Sequence, residues 1–107
     1  MMESGSNFRV AALIYANRAL RGKITPAVRA VGLRIGEASL RLTFYYERPP
    51  TELELELVSI AGTELTADYP AGIAIESDAA LERGLFGPAS DEVLLYRRFE
   101  VDERQGR

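Results

Sequence analysis

The chain of 107 residues contains no histidine, no cysteine and no tryptophan, and its one lysine is Lys23. Histidine, cysteine and lysine supply most nucleophiles, general bases and soft metal ligands at neutral pH. Their scarcity removes Ser-His-Asp and Cys-His triads and any histidine-bearing zinc site. A Ser-Lys pair would depend on Lys23, which has no serine near it in sequence. A disulfide scaffold is excluded, and neither a Gly-x-Gly-x-x-Gly fingerprint nor a Walker loop is present. Long apolar runs are missing too. Val10 to Ala16 is the best candidate, and it is bracketed by Arg9, Arg18 and Arg21. A membrane-spanning helix needs about 20 apolar residues, so this stretch reads as an amphipathic helix and the chain as cytoplasmic, with no membrane role.

What is present is an ordinary soluble balance, 47% hydrophobic and 27% charged. The length suits one domain over 1–107, with loose ends at 1–5 and 102–107. Net charge is -3, unevenly placed. Residues 1–49 hold eight basic and three acidic side chains, and residues 50–107 hold five and thirteen. Such a split either prepares two faces of opposite potential or disappears when the halves intermix on folding.

Ser6 or Asn7 can cap a first helix, in which Phe8, Ala12, Tyr15, Ala16 and Ala19 recur at helical spacing. Gly22 and Pro26 end it. Val28 to Ile35 reads as a strand, Gly36-Glu37 as a hairpin turn, and Ser39 to Glu47 as a second strand. In that strand Leu40, Leu42, Phe44 and Tyr46 alternate with Arg41, Thr43, Tyr45 and Glu47. Pro49-Pro50 breaks the pattern. From Thr51 to Tyr69 two patterns compete. Glu52 to Leu57 alternates like a strand, whereas Thr51 and Glu54 form a capping box and Leu55, Val58, Gly62, Leu65 and Tyr69 make a helical stripe. The longer pattern favours a helix. A short strand over Ile73 to Ser77, a loop from Asp78 to Ser90 and a last strand from Glu92 to Val101 complete the chain.

The order α-β-β-α-β-β predicts an α+β two-layer sandwich, with two helices on one face of a four-stranded, mostly antiparallel sheet. It is a circular permutation of the ferredoxin-like βαββαβ plan. With Leu40, Leu42, Phe44 and Tyr46 facing inward, Arg41, Thr43 and Tyr45 face outward, and the last strand is expected to add Tyr96 and Arg98. Arginine and tyrosine suit a protein interface, and they also stack on bases, as on RNA-recognition sheets. An acidic chain repels phosphate, which favours the protein partner over nucleic acid. On the second helix Glu52, Glu56 and Glu64 accompany Leu53, Leu57 and Ile60. These apolar residues either widen the core contact or form an acidic, greasy patch for a partner or a second copy of the chain. Carboxylates around Glu76, Asp78 and Glu82, or at Asp91-Glu92, read as solvated acids beside turns rather than as a metal site. No catalytic residues and no cofactor are expected, although a carboxylate-only enzyme stays open as a third class.

Several local runs belong together. Arg18-Ala19-Leu20-Arg21-Gly22-Lys23-Ile24-Thr25-Pro26 leads to Arg29-Ala30-Val31, then Phe44-Tyr45-Tyr46, Glu56-Leu57-Val58-Ser59 with Thr63-Glu64, Ala67-Asp68-Tyr69-Pro70, and Tyr96-Arg97-Arg98-Phe99-Glu100. Over about residues 12–100 the chain resembles a family of small bacterial proteins. Some of its members serve as immunity proteins in colicin-like or contact-dependent inhibition systems. The resemblance implies a cytoplasmic role, blocking a cognate toxin by binding it. Glu47-Arg48-Pro49-Pro50 stands where an acidic-glycine turn is usual in that family, and the region after Asp78 departs from its pattern.

Overall fold

A computed structural model describes residues 4–69, 72–84, 87, 89 and 91–100. Six elements follow in the expected order: α1 (Ser4–Ala19), β1 (Val28–Ile35), β2 (Ser39–Tyr46), α2 (Glu52–Ala67), β3 (Ala74–Leu81) and β4 (Glu92–Arg97). The strands form one mixed sheet in the order β3-β2-β1-β4. β1 pairs antiparallel with both β2 and β4, while α2 carries the chain from β2 to β3, which lies parallel and directly beside β2.

The alternation in β2 is carried into the core. Leu40, Leu42, Phe44 and Tyr46 are all buried, opposite Ile35, Leu33, Val31 and Val28 of β1. Against this face α1 lays Ala12, Ala16 and Ala19, and α2 lays Val58, Ala61, Gly62 and Leu65. Small residues let both helices come close. A Cβ on Gly62 would run into the Ser77 side chain, whose hydroxyl donates to the Val58 carbonyl at 2.9 Å. Tyr69 fixes the helices to each other by edge-on contacts with Phe8 and Tyr15, at centroid distances of 5.8 and 5.5 Å.

Residues 52–57 are helical. The Thr51 hydroxyl accepts from the Glu54 N–H, and the Glu54 carboxylate accepts from the Thr51 N–H, so the capping box closes in both directions. The buried stripe of α2 differs at its first turn, however. Leu55, expected inside, is exposed, and Glu54 is buried in its place. At about 100° per residue, position 54 lies about 30° from the centre of the buried group 58, 61, 62 and 65, and position 55 about 70°.

Other departures are local. Helix α1 begins at Ser4, so Ser6 and Asn7 lie within the helix rather than at its cap, and residues 4 and 5 of the expected loose start are helical. Extending an existing helix by a turn needs little free energy once it is nucleated. At the β1–β2 turn Gly36 donates to the Ser39 carbonyl at 2.8 Å and does not take positive φ. Its value there is space, since a Cβ would meet the Ser39 hydroxyl. β3 continues through Asp78, Ala79, Ala80 and Leu81, where a loop was expected, because it pairs with β2 along its whole length. Tertiary pairing overrides the weak strand preference of Asp and Ala. β4 ends at Arg97. Arg98, Phe99 and Glu100, expected to continue it, are not strand. Val101, the rest of the loose start (1–3) and the tail at 102–107 lie outside the described residues.

Candidate partner-binding surface

The folded chain uses most of its charge on itself. Lys23 pairs with Glu64, Arg29 with Glu100, Arg34 with Asp91, Arg41 with Glu76 and Asp78, Arg48 with Glu54, and Arg98 with Glu47. Each of these pairs joins the basic first half to the acidic second half. The charge split seen in the sequence is therefore consumed across the fold and does not persist as two opposed faces.

On the sheet face away from the helices, Arg41 and Thr43 both donate to Asp78, at 2.6 and 2.9 Å. Glu92 from β4 lies across Gly32, where a Cβ would collide with its carboxylate, and accepts from the Tyr45 hydroxyl at 2.7 Å. Burial, and then the neighbouring Glu92, raises the Tyr45 pKa and keeps the phenol protonated. A shallow cavity of about 380 Å³ at the hairpin end is lined by Arg34, Arg41, Glu76 and Asp91. Its two arginines are already matched by carboxylates, so it offers an anion little.

The four residues expected on this face are not brought together. Arg41 and Tyr45 are there. Tyr96 instead opposes Val31 and packs partly buried against the core. The reason is a register irregularity between Val31 and Gly32 in the β1–β4 ladder. A single extra residue reverses which face the following side chains occupy. Arg98 lies past the end of β4, at the opposite end of β1 from Arg41. It donates to the Pro26 carbonyl at 2.7 Å and pairs with Glu47 and Glu100. A continuous Arg/Tyr platform for stacked bases is not formed by these residues.

Helix α2 presents a different surface. Leu53 and Ile60 are exposed and Leu57 is half-buried. At i, i+4 and i+7 they share one side of the helix. Glu56 and Glu64 flank them, and Glu52 opens the helix. Glu64 is committed to Lys23, whose Nζ is buried and also donates to the Arg21 carbonyl. Glu52 and Glu56 carry no ion pair among the described residues and are exposed. The acidic, greasy patch is thus exposed, with two uncommitted carboxylates rather than three.

Two clusters escaped the sequence reading. Glu54 is buried and accepts from Arg48 at 2.7 and 3.1 Å, from the Thr25 hydroxyl at 2.6 Å and from the Thr51 N–H at 2.9 Å. The Arg48 guanidinium foremost, with Thr25 and Thr51 assisting against the opposing effect of burial, holds its pKa down to about 2. Arg29, also buried, grips Glu100 with two parallel bonds of 2.8 and 2.9 Å and donates to the carbonyls of Glu82 and Gly84. Glu100 is lowered to about 2 chiefly by that bond. The capping box was a signal for Glu54. For the Arg29 cluster the sequence carries none, since its partners lie 53 to 71 positions away.

The model of the MafI2 immunity protein family matches residues 9–100. The chain belongs to that family. The matched stretch takes in β1 to β4, both clusters above and all of α2. No curated protein matches the chain as a relative. No helix among the described residues is long and apolar enough to cross a membrane. Membership in the MafI2 immunity family makes the exposed α2 surface a candidate for contact with a protein.

Proposed function

We propose that the protein is a non-enzymatic immunity protein that acts in the cytoplasm, where it binds a bacterial toxin and occludes it. Family membership supports the class. The observation that carries the surface is the exposure of Leu53 and Ile60 beside the unpaired Glu52 and Glu56 on α2. Apolar side chains give a partner area to bury, and unpaired carboxylates steer a basic one toward it. The remaining carboxylates of the fold are mostly held by arginine or lysine and are poorly placed to attract anything.

The experiment is co-expression with the C-terminal domain of a candidate cognate toxin, sought among the neighbouring genes, followed by binding kinetics on the purified pair. Protection of the host and a stoichiometric complex are expected. The double substitution Glu52→Gln and Glu56→Gln is expected to slow association about tenfold at low salt and far less at high salt. An association rate unchanged at low salt would remove α2 from the interface. Glu64 is left out of this test because its removal strips a buried lysine of its partner.

A further inference from the structure

Among the described residues, the largest exposed apolar side chain lies at the other end of the fold from the Arg41 pair, in the segment that follows β4. Phe99 is 87% exposed. An exposed phenylalanine usually sits on a loose loop, but this one has fixed neighbours on both sides. The Arg98 N–H donates to the Arg29 carbonyl at 2.8 Å, and its guanidinium holds Pro26, Glu47 and Glu100. Glu100 is gripped by both nitrogens of the buried Arg29 fork. Arg98 and Glu100 meet each other at 2.9 Å, so their side chains lie on one side of the chain. The side chain between them, Phe99, stands in solvent.

We infer that Phe99 is a preformed anchor for the partner of the proposed immunity function, inserted into an apolar pocket on a basic protein surface. The inference rests on that functional reading. Two observations define the partner's chemistry. With the chain on both sides of it fixed, an aromatic side chain has few torsions left to order on binding, which favours aromatic residues as interface anchors. The paired charges beside Phe99 cancel, and the unpaired charge at that end of the fold is acidic. The line of pairs Glu100–Arg98–Glu47 continues through the adjacent Arg48 to Glu54 in the first turn of α2. The clamp around Phe99 therefore sits at the same end of the molecule as the exposed Glu52 and Leu53. A partner that covers both meets the uncommitted Glu52 and the apolar Phe99 and Leu53, and positive charge around an apolar pocket complements them. Arg98 is a positioning residue in this arrangement.

The test uses the full chain and the purified, inactivated domain of the cognate toxin identified by co-expression, with association and dissociation rates measured separately. Phe99→Ala is expected to weaken binding at least about 30-fold, almost wholly through faster dissociation, with Phe99→Leu intermediate. Both variants are expected to keep the wild-type melting curve, because the ring is no part of the core. Arg98→Gln, which keeps the ring and loosens its clamp, is expected to speed dissociation in the wild-type background and to add little to Phe99→Ala. Val10→Ala, at an exposed apolar site on α1, is the control and is expected to bind as wild type does. Wild-type binding with Phe99→Ala unchanged would overturn the anchor and leave the immunity reading standing. Failure of the wild-type chain to bind that domain would overturn the immunity reading, and the anchor with it.

Discussion

Replacing Glu54 by glutamine removes one buried charge while keeping a side chain that can still close the capping box. In the wild-type fold the carboxyl is held down to about 2, against an ordinary 4.5. At about 1.4 kcal/mol per tenfold change in proton affinity, that difference corresponds to about 3 kcal/mol. Arg48, the main partner, is 46% exposed, and solvent screening brings the expected loss to about 2 kcal/mol. Arg48 itself can rehydrate once released, so the variant leaves no stranded buried cation. The sign follows from the direction of the shift. A carboxyl with a lower pKa in the folded than in the unfolded state stabilises the fold above the unfolded value. That stabilisation is lost as pH falls through the folded one. The gap between wild type and Glu54→Gln is therefore expected to be full at pH 7, to shrink between about 4.5 and about 2, and to close below that. Urea unfolding at pH 7, 4 and 2 measures it, with the slope m compared to confirm that the unfolded states match. Glu100 titrates over the same range in both proteins and cancels in the difference. Equal stability at pH 7, or a gap that ignores pH, would refute the reasoning.

Two further substitutions probe the packing beneath the proposed surface. Glu64→Gln leaves the buried Lys23 ammonium with neutral acceptors and no counter-charge from residue 64. It is expected to cost about 1–3 kcal/mol in urea unfolding, whereas Glu56→Gln is expected to stay within about 0.5 kcal/mol of wild type. Lys23→Met in the Glu64→Gln background is expected to recover part of the loss. The Tyr46 hydroxyl is buried with no hydrogen-bond partner among the described residues, so Tyr46→Phe is expected to be neutral or up to about 1 kcal/mol more stable in thermal unfolding. A loss above about 2 kcal/mol would show that this hydroxyl is bonded after all.

Where the fold was legible in the sequence, the signal was local. The alternation from Ser39 to Tyr46 needs no distant partner to be read, and all four inward residues are buried as it implies. The capping box between Thr51 and Glu54 likewise outweighed the strand-like run of Glu and Leu behind it. What could not be read depends on residues far away. Glu54 is tolerable inside only because Arg48, Thr25 and Thr51 converge on it, and Thr25 lies 29 positions earlier. Asp78 and two alanines make a poor strand until Arg41 and Thr43 bind the aspartate and β2 supplies the ladder. Tyr96 moved from the open face to the core because of a shift in a ladder whose partner strand ended 57 residues before β4 begins. Alternation extrapolated from Glu92 carries no trace of that.

The same non-local pairing bears on where a partner can bind. Had the basic and acidic halves stayed apart, the whole acidic half could have guided a partner. Instead the pairs between them hold the fold, and the buried ones do so most firmly. Arg29 ties the ends of β3 and β4 to β1, and Lys23 ties the chain after α1 to α2. Breaking either leaves an uncompensated charge inside, which is far more damaging than losing a pair at the surface. Changes at those positions are thus expected to be felt first as lost stability. Glu52, Glu56, Leu53, Ile60 and Phe99 are free of that duty. They are exposed, and their replacement leaves the core and the buried pairs intact. An interface that has to match one toxin and reject others can vary at such positions without unfolding its scaffold. The separation makes the proposals testable: substitutions at the first group should move melting curves, and substitutions at the second should move binding rates alone.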